Sequence, residues 1–384
     1  MAVFLLALGY GLGWAFTGSG IGGLVIALII WGIMNLVAYF QGDSILLGLA
    51  KAKKISKQDH PRLFNIIEEM TLASGLERMP DIYIIDDPAL NAFATGRDPK
   101  RASVAITSGL LEKLNRDELQ GVMAHEIAHI KNRDVLLMAW CAVLLGTIVM
   151  ISWWAMHMMW FGAMTGGRRS SGGGGAGQAV ILLVVLVLAI LAPIFAKLIY
   201  FAISRRREYL ADASSALYTR YPEGLASALE KIGGSKLQLQ SANQATAPMY
   251  IANPFRKKGR AAADLSSTHP PLSERIRILR SMAGGASFAN YEEAYETVHK
   301  GGGHALGAST ISSAGAVGLR APSPEAAREP EPSRLERHSE VSDVLWKKND
   351  YRTIDCNCGT RLRIPPKLKA NRVKCPHCGT VHKL

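Results

Sequence analysis

Cysteine is scarce in this chain: there are five in 384 residues. That number excludes a disulfide framework as the source of its stability. Four of the five fall in the last thirty residues, the spacing of a local metal site rather than of secreted staples. Charge is also sparse, at 20% against 48% hydrophobic residues, which excludes an intrinsically disordered chain. Acid is the scarcer sign, 31 residues against 44 basic ones, leaving a net charge of +13. An excess of that size fits either nucleic acid or an anionic membrane face, and the apolar runs decide between them. Residues 2–16 have no basic n-region before them and no A-x-A-like cleavage site after them, so they read as a retained span rather than a signal peptide.

Long apolar runs are abundant. Residues 2–16, 21–40, 135–164 and 179–203 are uncharged or nearly so, and ~20 apolar residues cross the hydrocarbon as a helix. The sequence predicts an integral membrane protein with four transmembrane helices. The first two form a hairpin through Thr17-Gly18-Ser19-Gly20. Trp153, Trp154 and Trp160 are suited to an interfacial belt, and Lys197 can snorkel. Lys51, Lys53, Lys54 and Lys57 follow the second run, Lys131 and Arg133 precede the third, and Arg205, Arg206 and Arg207 follow the fourth. On the other side stand only Arg168 and Arg169, in a glycine-rich loop. The positive-inside rule therefore predicts a multi-pass membrane protein with its soluble segments in the cytoplasm. Topology then accounts for much of the charge, and no nucleic-acid partner is expected.

The fold class predicted is a mainly α membrane protein with a soluble α+β part that contains a small β-sheet, and a small separate module at the C-terminus. Its parts are a transmembrane hairpin (1–40), a first soluble segment (41–134), a second transmembrane hairpin (135–203), a second soluble segment (204–300), a flexible linker rich in Gly, Ala, Ser and Pro (301–340), and the terminal module (341–384). In the first soluble segment a helical pattern follows Pro61 and stops near Gly75. Short β-like runs cover 82–85, 91–95 and 103–107, and a second helix starts at Arg116 behind Asn115 as N-cap.

That second helix carries His125-Glu126-Ile127-Ala128-His129. Histidines at i and i+4 project from one helical face and can ligate one Zn²⁺, while the glutamate beside them can take a proton from water that the metal acidifies. A catalytic zinc needs a third protein ligand, and Glu208 in Arg207-Glu208-Tyr209-Leu210-Ala211-Asp212 offers one. The hairpin 135–203 returns Glu208 to the face of the membrane where the histidines lie. Asp212, one helical turn further on, can accept a hydrogen bond from a ligating imidazole and fix its tautomer.

These residues, with Asn91-Ala92-Phe93-Ala94-Thr95-Gly96 upstream and Thr268-His269-Pro270-Pro271-Leu272 downstream, resemble the HtpX-type membrane zinc metallopeptidases, relatives of the CAAX prenyl endopeptidases. The likeness spans about residues 1–300. It implies a zincin-like α+β protease domain of the gluzincin type in the bacterial cytoplasmic membrane, an endopeptidase that acts on membrane or misfolded proteins in quality control, with His125, His129 and Glu208 as zinc ligands and Glu126 as general base. It further implies that Asn91, Ala92, Phe93, Ala94 and Thr95 form an edge strand on which a substrate backbone lies. His269 and Arg275 would approach the substrate carbonyl and stabilise the developing oxyanion. A processing protease for prenyl-type substrates and a non-catalytic zinc scaffold are the alternatives; the intact Glu126 weighs against the scaffold.

Cys356-Asn357-Cys358-Gly359 and Cys375-Pro376-His377-Cys378-Gly379 resemble the two knuckles of a zinc ribbon, which implies a second, structural zinc. The first pair is one residue shorter than the usual C-x-x-C, so His377 or His382 stands as an alternative ligand, and a redox pair of Cys375 and Cys378 as an alternative role. Cys141, inside the third run, is expected to pack.

Overall fold

The computed structural model describes residues 2–164, 175–240, 249–253, 268–282, 284–312, 315, 317–320, 331–366, 368 and 371–383. The loop residues Arg168 and Arg169 lie outside them. The N-terminal apolar runs fold as a helical hairpin of α1 (Ala2–Thr17) and α2 (Gly20–Leu49). A Cβ on Gly13 would stand 2.6 Å from Gly23 Cα, a backbone approach that only small residues allow.

The first soluble segment contains β1 (Lys53–Lys54), α3 (Pro61–Ser74), β2 (Asp81–Ile85), β3 (Ala92–Thr95), β4 (Ser103–Thr107), α4 (Ser108–Lys113) and α5 (Arg116–Lys131). Its strands are ordered β1-β2-β4-β3, with β2 and β4 parallel and the outer pairs antiparallel, so β3 is an edge. The two-residue β1 is too short to leave an alternating pattern in the sequence.

Two long helices follow, α6 (Asp134–Met164) and α7 (Gly175–Thr219), then α8 (Pro222–Gly234), α9 (Leu272–Arg280), α10 (Phe288–Val298), α11 (Ala308–Ser312) and α12 (Arg334–Lys348). Two separate hairpins, β5 (Arg352–Asp355) with β6 (Arg361–Ile364) and β7 (Arg372–Lys374) with β8 (Val381–Lys383), complete the described chain.

Among the described residues three helices are long and apolar enough to cross a membrane, within Gly20–Leu49, Asp134–Trp160 and Leu182–Thr219. The fourth expected span is shorter: the apolar part of α1 covers only Ala2–Ala15. α1 buries Leu5, Leu8 and Leu12 against Ile148 and Val185 of the neighbouring helices. Outward, Ile21, Ile26, Ile29, Trp153 and Trp160 are exposed, as side chains that meet lipid would be.

Both long-helix boundaries differ from the sequence reading. α2 runs on from 40 to Leu49, and α7 passes through 203 without a break. Arginine propagates a helix well, so Arg205–Arg207 lets the membrane helix continue into the soluble layer.

The linker expected over 301–340 is in part folded. Ala305 and Leu306 are buried in the main soluble core, and α12 crosses the boundary expected at 340/341. A capping box of Ser333 and Glu336 starts α12, and its Val341 and Val344 are buried in the same core with Leu345 packed against it. Residues 321–330 lie outside the described part.

Candidate metal centre and active site

α5 begins with a reciprocal capping box: Asn115 Oδ1 accepts from the Glu118 amide, and Glu118 Oε2 accepts from the Asn115 amide, both at 2.9 Å. The helix is buried over most of its length, so His125 and His129 emerge from it in fixed positions. Their Nε2 atoms are 3.1 Å apart. Glu208, on α7, closes the triangle: its Oε2 lies 3.6 Å from His125 Nε2 and its Oε1 3.5 Å from His129 Nε2. Donors around a tetrahedral zinc with ~2.0–2.1 Å bonds stand about 3.3–3.4 Å apart. Two imidazole nitrogens and a carboxylate at these separations fit one such ion, and their ligand atoms all lie within 4.8 Å of one another.

The outer imidazole nitrogens are held as well. Asp212 Oδ1 accepts from His125 Nδ1 at 3.0 Å, and Asp134 Oδ2 from His129 Nδ1 at 2.9 Å. Each carboxylate fixes the tautomer that aims Nε2 at the centre. Asp134 was not singled out by sequence reasoning. The signal was an acid five residues past His129, where the helix has ended and the chain turns to start α6. Arg207 pairs with Asp134 in turn.

Arg275 differs from its expected place at the substrate carbonyl. It is wholly buried behind the ligands, with Nε and Nη2 donating to the two oxygens of Asp212 at 2.8 and 2.7 Å and Nη1 to the Ile251 carbonyl at 3.0 Å. Its Nη1 also lies 3.2 Å from Glu208 Oε2. Burial opposes its charge, but Asp212 and Glu208 outweigh that and hold the guanidinium more firmly protonated than usual. With its donors turned to these carboxylates, Arg275 orients them rather than a substrate. His269 is buried nearby, with Nε2 3.9 Å from Glu208 Oε1, and burial pushes its pKa down.

Glu126 is buried too, and neither of its carboxylate oxygens has a hydrogen-bond partner among the described residues. Such a group is costly unless it has work to do. Burial raises its pKa, while His125 and His129 pull it back down.

The strand expected to carry substrate is only partly open. Ile251 donates to the Ala92 carbonyl at 2.9 Å, and Phe93 bridges Tyr250, so residues 250–251 cover the outer edge of β3 there. Asn91 is a structural pin, its Nδ2 donating to the Ala252 carbonyl at 3.0 Å. Ala94 and Thr95 instead line a cavity of about 550 Å³ together with His129, Glu208, Tyr39 of α2 and Ala139 of α6. The cavity joins the metal ligands to the flanks of the membrane helices.

A second cluster lies in the terminal hairpins. Cys356 Sγ is 3.4 Å from Cys378 Sγ, and Cys358 Sγ is 3.7 Å from Cys375 Sγ. Sulfurs around a tetrahedral zinc at ~2.3 Å lie about 3.8 Å apart. The short first pair still makes a knuckle like the second. Gly359 and Gly379 both take positive φ, 83° and 79°, and the amides of Gly359 and Gly379 reach back to the Cys356 and Cys375 carbonyls. The cluster consists of the four cysteines, without His377 or His382. The Thr360 hydroxyl lowers the Cys358 thiol to about 7, towards the thiolate that a metal binds.

The sequence of residues 57–283 matches the model of peptidase family M48. A protease HtpX homolog of Dictyoglomus turgidum is 45% identical over 260 residues, 68% of this chain and 82% of that protein. One from Streptococcus pneumoniae is 46% identical over 280 residues, 72% of this chain and 93% of that one. The crystal structure of S. mikatae Ste24p aligns at 19% identity with a TM-score of 0.41, covering 70% of this chain and 64% of that one. Apolar helices of spanning length, a His₂Glu centre with a glutamate beside it, and HtpX-type relatives matched over most of their length lead to one assignment: this chain is a membrane metalloprotease and belongs to peptidase family M48.

Proposed function

We propose that this enzyme is a zinc endopeptidase of the cytoplasmic membrane, its site facing the cytoplasm, that hydrolyses peptide bonds of membrane or misfolded proteins as part of protein quality control. The observation that carries this reading is the meeting of His125, His129 and Glu208 beside a buried Glu126 whose carboxylate no side chain among the described residues hydrogen-bonds. The basic flanks of the long helices support the orientation. The cavity's position against α2 and α6 supports substrates that arrive at the bilayer surface.

His125, His129 and Glu208 would hold a zinc ion, which would supply Lewis acidity to a water and to a peptide carbonyl. Glu126, its pKa raised by burial, is placed to take a proton from an attacking water and return it to the leaving amine. The backbone of Ala94 and Thr95 pairs with an extended peptide along the open part of the β3 edge. His269 donates to the developing oxyanion. Arg275 keeps Glu208 and Asp212 in register from behind. At the C-terminus Cys356, Cys358, Cys375 and Cys378 hold a structural zinc, which a segment with so small a core needs in order to fold.

Glu126→Gln tests the mechanism. The variant should keep its catalytic zinc and lose hydrolysis of an unfolded test protein by on the order of 10²–10⁴-fold, the usual contribution of a positioned general base. Proteolysis at the parental rate in detergent would rule the assignment out.

A further inference from the structure

The terminal module is far more basic than the rest of the chain. Residues 351–384 hold eight Lys and Arg and a single acid, Asp355. Two of the eight are neutralised locally: Arg361 pairs with Asp355 and Asp343, and Arg363 with Asp343. Others are arranged differently. In the β7–β8 hairpin Arg372 stands directly opposite Lys383, and Lys374 is two residues further along β7. A two-residue spacing and a direct cross-strand pairing put all three on one face of the hairpin. All three are exposed, while Val373, on the other face, packs towards Cys356 and Cys375. Like charges directly opposite each other destabilise a strand pair. None of the three has an acidic partner among the described residues, so nothing described within the chain offsets that cost.

From this geometry we infer that the β7–β8 face of Arg372, Lys374 and Lys383 docks on anionic phospholipid headgroups of the bilayer that holds the protein. The anchorage of the module argues for lipid over nucleic acid. Lys53, four residues past the end of α2, donates to the Lys348 carbonyl at 2.9 Å, and Asp59 pairs with Lys347 and Lys348. The helix leading into the hairpins is thus fixed to a segment that emerges from the membrane, which keeps the basic face at high effective concentration near headgroups. Each basic residue close to an anionic surface favours docking about fivefold, so three together give on the order of a hundredfold. Base stacking, by contrast, needs aromatic platforms, and the β7–β8 hairpin itself, residues 372–383, contains no Phe, Tyr or Trp. The inference rests on the proposed structural zinc and on the proposed cytoplasmic orientation.

The test is lysine-reactivity footprinting of the full chain, in nanodiscs of phosphatidylcholine alone and with one third phosphatidylglycerol. Metal content is measured on the same samples, so that an unloaded module is distinguished from a loaded one that does not dock. Lys374 and Lys383 should become at least several-fold less reactive in the anionic discs and recover in 0.5 M salt, while Lys113, exposed and outside the module, stays unchanged. Arg372→Ser should weaken this protection. Equal reactivity in both discs with zinc in place would overturn the inference. So would protection by added single-stranded RNA in neutral discs without any response to phosphatidylglycerol, which would assign the face to nucleic acid.

Discussion

At the residue scale the site is two shells of carboxylates around two imidazoles. Asp134 and Asp212 contact the outer nitrogen of one ligand each, so Asp134→Asn and Asp212→Asn should each lower zinc affinity by about 10–100-fold. Competition against a chelator of known affinity measures this, and an unchanged affinity in Asp134→Asn would mean that the His129 contact is only structural. Arg275→Met is a different kind of change, because it strands two buried carboxylates and should cost about 3–5 kcal/mol of stability.

A second residue-scale effect concerns pH. His60 N-caps α3 through Nδ1, which accepts from the Leu63 amide at 3.2 Å, and burial, helped by Arg62, lowers its pKa to about 4. The unfolded chain, near 6.5, takes up the proton first. The stability contributed by neutral His60 is therefore full above pH 6.5 and is lost as pH falls from there towards 4, by on the order of 2–3 kcal/mol. Melting curves across that window check it. His60→Asn retains a capping side chain and should flatten the dependence; an equally steep curve would place its source elsewhere.

At the element scale the decisive feature is that α7 is one continuous helix, running through Pro193 without ending. Its 45 residues measure ~68 Å along the helix axis, so the segment that crosses the bilayer also carries Glu208 and Asp212. The candidate ligands could be picked out in the sequence, because H-E-x-x-H puts two imidazoles on one helix face by spacing alone, and the apolar hairpin 135–203 returns Glu208 to the same side. Helix continuity past 203 was not legible, because charge at a membrane boundary signals the end of the apolar run without signalling the end of the helix. Arg275 was misplaced for a related reason: its spacing from His269 is visible, but which way a buried guanidinium turns depends on Asp212 and Glu208, which lie on another helix. The cover on β3 by residues 250–251 was equally hidden, since one isolated bridge leaves no period in the sequence. α12 was missed although its capping box was present, because the composition before it masked the Val341, Val344, Leu345 stripe. Removing residues 331–384 should expose that contact and lower the melting temperature by several degrees; an unchanged melting temperature would show that α12 only rests on the surface.

At the scale of the whole molecule, a membrane bundle and a soluble domain share α7, and the metal centre sits where they join, opening through Ala94 and Thr95 onto the helices α2 and α6. The tail adds a cluster of four cysteines, the proposed second metal site, fixed to the same soluble layer through Lys53, Asp59 and α12. Two ions of different chemistry are therefore expected per chain, and they can be separated. The most direct measurement is zinc content and zinc-edge X-ray absorption of the full chain carrying Cys356→Ser and Cys375→Ser. The account predicts one zinc remaining per chain, with nitrogen and oxygen neighbours at about 2.0–2.1 Å and no sulfur shell, and loss of that zinc when Glu208→Ala is added. Absence of zinc from the cysteine variant, or zinc bound just as tightly without Glu208, would contradict it.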